Sequence, residues 1–280
     1  MAMNDGGRRS LLPLTAAVLL GVLAQGGCAS VSRGSSGPSL KPDEVAALRQ
    51  QMAETLVQQH DYDLALPYLR DLLARDPKNA RLHLLLGIVL RDKSIFEPAQ
   101  QELELALALD PRSSAAHAAL ASLFGRTRRL DQSEKHLRRA IALAPSHAPH
   151  HNDLGVCLLL QRRYPEARRA LQEAIRLDPG LRVAFNNLGF TYAMEGDDEA
   201  MRRAFEQGGG RAMALTNLGF IEQLRGRPGA ARHYYEQALR ANRGYAPALR
   251  NLRALDAGVE PPPSGPVQGT AGGDDEEAGR

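Results

Sequence analysis

The chain has 280 residues, a formal net charge of +3, 43% hydrophobic residues, two cysteines and no Trp. So small a charge does not by itself imply nucleic acid, and two cysteines exclude a disulfide framework. A core without Trp must be built from Leu and Ala, strong helix formers, so an all-α chain is the first expectation.

In chain order, the first element reads as an address. Arg8 and Arg9 supply a positive n-region, and Leu11 to Leu23 is a 13-residue uncharged stretch, too short to span a bilayer but right for a signal-peptide h-region. The run Gly26-Gly27-Cys28 that follows resembles the lipobox of bacterial lipoproteins, with Gln25 where that family has an aliphatic residue. The resemblance implies a lipoprotein signal peptide over 1–27 and a lipid on Cys28. With Ala29 next in place of Asp, it also implies an outer membrane lipoprotein facing the periplasm. An ordinary secretory cut after Gly26 or Ala29 would give a soluble periplasmic protein instead. Residues 28–45, rich in Ser, Gly and Pro, read as a flexible tether reaching ~20 Å.

Beyond the tether the chain repeats. Pro77, Pro111, Pro145 and Pro179 are each 34 residues apart. On that period a large-small pair recurs as Met52-Ala53, Leu86-Gly87, Leu120-Ala121, Leu154-Gly155, Leu188-Gly189 and Leu218-Gly219. Sixteen residues after each small residue stands a large apolar one: Leu69, Leu103, Leu137, Leu171, Phe205 and Tyr235. Apolar residues at helical intervals in two runs, broken by a polar turn, predict two antiparallel helices per unit. The small residue lets backbones cross closely, and the proline stops the second helix on schedule. One helix pair cannot bury its apolar face alone, so the units must stack.

These residues resemble the tetratricopeptide repeat over 46–256. The resemblance implies an α-solenoid of six units, 46–79, 80–113, 114–147, 148–181, 182–211 and 212–245, with a polar-faced capping helix at 246–256. The fifth unit is four residues short, and Gly208-Gly209-Gly210 marks its end as the expected flexible point. Residues 257–280, with Pro261-Pro262-Pro263 and Asp274-Asp275-Glu276-Glu277, read as a disordered acidic tail.

No phosphate loop, H-E-x-x-H, calcium loop or C-x-x-C is present, so neither catalysis, cofactor nor metal is expected. His147, His150 and His151 have metal-ligand spacing, yet His83, His117 and His151 all occupy the fourth repeat position and read better as packing residues. Cys157, near a tight helix crossing, reads as a buried inert thiol. The pairs Arg138-Arg139, Arg168-Arg169 and Arg202-Arg203 fall on second helices. A solvated outer face is their expected role, an anionic lipid surface the alternative.

In the resembling family partners lie along the concave face made by first helices. Through its fifth and ninth positions the resemblance implies a partner groove of Asn152, Val156, Asn186, Phe190, Thr216 and Phe220, suited to an extended peptide or an amphipathic helix. Asn187, Asn217 and Asn251, one place on, match a common structural Asn of the repeat, and are read equally as structural or groove-lining. Gln50, Leu84 and Ala118 at the fifth positions of the first three units give no support to a carboxylate clamp. The expected function is a non-catalytic protein-interaction scaffold, tethered through Cys28, with no nucleic acid and no small-molecule substrate. The short fifth unit running into Ala214 to Gly219 resembles the TadD-like assembly lipoproteins of tight-adherence (Flp) pili. Pilotins that help secretins assemble are a related comparison, and a periplasmic adaptor for a cell-wall or other envelope enzyme is the alternative.

Overall fold

The 34-residue period emerges as alternating helices. The computed structural model describes residues 42–259, which form thirteen α-helices and, among the described residues, no strand. The first helices of the units are α1 (Pro42–Gln58), α3 (Ala80–Asp92), α5 (Ser114–Arg126), α7 (Ala148–Leu160), α9 (Arg182–Glu195) and α11 (Arg211–Leu224). Their partners are α2 (Tyr62–Arg75), α4 (Phe96–Leu109), α6 (Leu130–Leu143), α8 (Tyr164–Leu177), α10 (Asp198–Gly208) and α12 (Pro228–Ala241), followed by α13 (Ala246–Asp256). The proposed signal peptide, Cys28 and nearly all of the acidic tail lie outside the described residues. Helix α1 begins at Pro42, inside the segment expected to be tether; a proline in the first turn loses no helical hydrogen bond.

Local chemistry sets the boundaries. Helices α2, α4, α6 and α8 stop two residues before Pro77, Pro111, Pro145 and Pro179, because the residue preceding a proline is forced out of helical geometry. Asn79 and Ser113 then cap α3 and α5 by accepting from the Leu82 and Ala116 amides, both at 3.2 Å. Inside each unit the turn is closed by a left-handed residue: His60, Ser94, Arg128 and Arg162, then Gly196 and Gly226. The amide that follows reaches back five residues, as from Ile95 to the Leu90 carbonyl at 2.9 Å and from Arg129 to Phe124 at 2.8 Å.

The two helices of a unit are buried differently. Helix α8 buries only Ala167, Leu171 and Ala174, one stripe, whereas α7 buries ten of its thirteen residues. First helices are held on several sides: α3, α5, α7 and α9 touch one another in succession as well as their own partners, and successive second helices come less close. First helices therefore form the inner, concave side. In units two and four the small-large crossing leaves no room for a methyl group, since a Cβ on Gly87 or Gly155 would lie 2.5 Å from the Cγ of Leu103 or Leu171. Turns of one unit also grip the second helix of the unit before. Lys93 reaches Asp63 at 2.6 Å, Arg163 reaches Glu134 at 2.6 Å and Arg225 reaches Asp198 at 2.6 Å.

The short fifth unit makes an irregular joint. Helix α10 ends at Gly208, and a Cβ there would sit 2.8 Å from the Asn186 backbone nitrogen, so glycine allows α10 to close onto α9. That end of the glycine run is packed. The backbones of α9 and α11 stand further apart than the other described neighbouring first helices from α3 onward, and side chains fill the gap. The cap, α13, buries only Ala248, Asn251 and Ala254.

Candidate functional site

The six residues expected to line an open groove are mostly interior. Asn152, Val156, Phe190, Thr216 and Phe220 are 0–7% exposed, and Asn186 is half-buried. Phe190 packs edge-to-face against Phe205 at 5.1 Å and Phe220 at 6.0 Å, all within one core cluster. Phe190 and Phe220, expected to line a partner groove, instead belong to the stacking core. Where α9 and α11 separate, large rings fill the volume that backbone contact leaves.

The amides are likewise structural. Asn187 donates to Asn152 Oδ1 at 2.8 Å, and Asn217 donates to Asn186 Oδ1 at 3.2 Å. Asn186 in turn donates to the Gly208 carbonyl at 3.0 Å. The first two bonds join one unit to the next and the third closes unit five on itself, so amides expected to edge a groove tie the first helices of units four to six together.

The opening lies instead at the other end of the concave face. A cavity of about 300 Å³ is lined by first helices of units one to four, with Leu84, Leu85 and Ile88 of α3 facing Ala115, Ala118 and Ser122 of α5. Space exists here because α5 carries small side chains where α9 and α11 carry phenylalanines. One rim is polar and hydrogen-bonded. Tyr62 donates to Asp92 Oδ2 at 2.8 Å, Arg91 donates to Oδ1 at 2.9 Å, and Arg126 lies 3.1 Å from Oδ1. Burial, then the hydrogen bond and charge of Asp92, push the Tyr62 hydroxyl up to about 12. Burial pulls the Asp92 carboxyl upward, but Arg91, Tyr62 and Arg126 outweigh it and hold the group below its ordinary range.

The opposite rim holds Pro149, His150 and Asp153. Desolvation first, then the charges of His147 and His151, lower His150 to about 4, so it is neutral at pH 7. The His147 and His150 rings lie 4.2 Å apart and tilted by 60°, while His151 Nε2 is taken by the Pro145 carbonyl at 2.9 Å. The three histidines do not converge on a point, and among the described residues no three His, Cys, Asp or Glu side chains are grouped to hold a metal. Cys157 is fully buried with Sγ 3.4 Å from the Leu130 carbonyl, and burial raises its thiol.

The thirteenth repeat position changes character along the stack. In units one and two it is Gln58 and Asp92, which line the cavity; in units four to six it is Leu160, Met194 and Leu224, all exposed. The signal was present as a polar-to-apolar change at one register position. On the outer side Arg138 and Arg203 pair within their own helices at 2.8 and 2.7 Å, and Arg168 reaches Glu195 at 3.7 Å.

Helix pairs on a 34-residue period, stacked with their first helices inside, define an all-α solenoid of helix-pair repeats. Models of the tetratricopeptide repeat match residues 56–123, 118–181 and 211–243, together more than half of the chain, and the chain belongs to the tetratricopeptide repeat family. Among solved structures it is similar to PilW, described as a widely conserved type IV pilus biogenesis factor, at 24% identity and TM-score 0.64, covering 75% of this chain and 99% of that one. It is also similar to pilF of Pseudomonas aeruginosa, at 20% identity and TM-score 0.60, covering 77% and 98%. MamA of Desulfovibrio magneticus RS-1 matches at 20% identity and TM-score 0.51, covering 58% and 92%. These likenesses concern the fold. A search of curated proteins returns no significant match. Among the described residues no helix is long and apolar enough to cross a membrane.

Proposed function

We propose that this chain is a non-catalytic protein-interaction scaffold of the cell envelope, held to the outer membrane through a lipid on Cys28, which assists assembly of a pilus of the Flp or type IV kind. The observation that carries the reading is the concave cavity between α3 and α5: an apolar floor of Leu84, Leu85 and Ile88 with ordered charged rims. About one large apolar side chain fits such a volume, and a partner segment anchored there meets polar groups already fixed in place. From this anchor the segment runs on toward Leu160, Met194 and Leu224, exposed at the register position that lines the cavity in units one and two. The likeness to PilW, a pilus biogenesis factor, supports the choice of machine, and Gly26-Gly27-Cys28 supports the tether.

The test is to fill the cavity. Ser122 is half-buried on its wall, so Ser122→Trp occupies the space without cutting into the core. Partners cross-linked to the full chain in cells should be lost from this variant and retained by Leu105→Ala, a change to an exposed residue of the outer helix α4. Unchanged cross-linking by Ser122→Trp would remove the concave face from the interaction. Labelled palmitate should enter the wild type and not Cys28→Ser; equal labelling would remove the tether.

A further inference from the structure

Units two, three and four share a histidine at the fourth position, and each is tied to the proline turn before it. His83 Nε2 lies 3.0 Å from the Pro77 carbonyl and His151 Nε2 2.9 Å from that of Pro145, and His117 bonds the Pro111 backbone. The units differ nineteen residues further on. In unit two that residue is Glu102, whose carboxylate lies 2.6 Å from His83 Nδ1. In unit four it is Ala170. In unit three it is His136, and its Nδ1 faces His117 Nδ1 at 3.1 Å. Two nitrogens so placed share one proton between them, and the negative charge that unit two builds in has no counterpart.

What surrounds this pair is positive. Lys135, Arg138 and Arg139 of α6, with His117, His136 and Ala142, line an open cavity of about 490 Å³. Glu134 holds Arg138 at 2.8 Å and gives its other oxygen to Arg163 at 2.6 Å. Among the described residues no carboxylate pairs with Lys135 or Arg139, which stand one helical turn apart on one face. Both charges reach the imidazoles. Burial first and then Arg139 lower His117; burial, His117 and Lys135 lower His136, with Glu104 of α4 acting in the opposite sense. The Phe124 ring packs against His136 at 5.4 Å.

We propose that this cavity on unit three binds a phosphate group, held by Lys135 and Arg139 and by His136, which takes the place that the Glu102 carboxylate fills in unit two. An anion satisfies two unpaired cations at once and makes protonation of the imidazole pair favourable. Facing imidazoles are also a metal-ligand type, but a metal ion would be repelled by the same two charges that attract phosphate. The site shares no residue with the concave cavity, so it stands apart from the partner reading. Its phosphate can be a free ion or a lipid headgroup, and both present the same oxygens.

The experiment uses the full chain carrying Cys28→Ser, so that no acyl chain contributes to binding. Inorganic phosphate is titrated while the imidazole resonances of His117 and His136 are followed. In parallel the protein is sedimented with phosphatidylglycerol vesicles, against phosphatidylcholine vesicles. Binding in either arm should weaken by about tenfold or more in Lys135→Ala/Arg139→Ala, because charge contacts dominate such a site. It should also weaken in His136→Glu, which rebuilds the carboxylate of unit two. Lys135 and Arg139 are exposed and His136→Glu copies a pair that already exists in the fold, so all variants should keep wild-type helicity. Binding in the first arm assigns a free phosphate, and binding in the second alone assigns a headgroup. Binding in neither arm, binding that survives His136→Glu, or a response of the two histidines to Zn²⁺ in place of phosphate would overturn the proposal.

Discussion

Phe190→Ala tests whether the aromatic residues of units five and six belong to the core. Phe190 is 5% exposed and Phe220 7%, and Phe190 meets two rings edge-to-face at 5.1 and 6.0 Å. Truncating a buried Phe costs about 3–5 kcal/mol through lost transfer energy and the cavity left behind. The edge-to-face geometry adds about 0.5–1.5 kcal/mol per ring pair. Because the rings touch, Phe190→Ala/Phe220→Ala should cost less than the sum of the single changes. The location matters as much as the size. Between α9 and α11 these rings and the Asn186–Asn217 bond reach across a joint where the backbones are apart. Helices α11 to α13 should therefore unfold ahead of the rest, giving a second transition in urea followed by circular dichroism. Early hydrogen exchange should be confined to residues 211–256. A loss below about 1 kcal/mol with a single unchanged transition would refute the packing argument and return these rings to an open groove.

Three further outcomes follow from the same structure. Gly155→Ala should cost about 1–3 kcal/mol by overpacking, since the added carbon would lie 2.5 Å from Leu171 Cγ; the cost should shrink in a Leu171→Ala background, and equal costs in both would show that Leu171 is not what the methyl meets. Ala121 occupies the equivalent place in unit three, so the backbones can separate and the loss should sit low in that range. His150 is lowered to about 4 from an ordinary 6.5. Between those values the unfolded chain takes up a proton that the folded chain refuses, so stability should fall as pH drops from about 6.5 to about 4 and level off below. Urea midpoints across that window should decline more steeply in the wild type than in His150→Gln; parallel declines would assign the effect elsewhere. Cys157, fully buried with its thiol raised, should react with iodoacetamide in the Cys28→Ser chain only as fast as the fold opens, and rapid labelling under native conditions would contradict the buried position.

The repeat was legible because its physics is local and periodic. A proline every 34 residues ends each second helix, and a small residue sixteen before a large one marks each crossing; these signals lie in the chain itself and need no knowledge of neighbours. From them the sequence by itself determined an all-α solenoid, and the buried setting of Cys157 was readable from register alone. The groove was not legible. Register places the fifth and ninth positions of every unit toward the concave side, but whether that side is open depends on how far apart the next first helix stands. Tertiary packing decided that. At α9 and α11 the shortened fifth unit separates the backbones and Phe190 and Phe220 fill the gap, whereas at α3 and α5 the backbones approach and the small Ala115, Ala118 and Ser122 leave a cavity. The pairing of His117 with His136 is of the same kind: nineteen residues separate them in the chain, and only the return of α6 against α5 brings their nitrogens to 3.1 Å. A sequence records the size of each side chain, while a cavity is the difference between those sizes and a distance set by the rest of the fold.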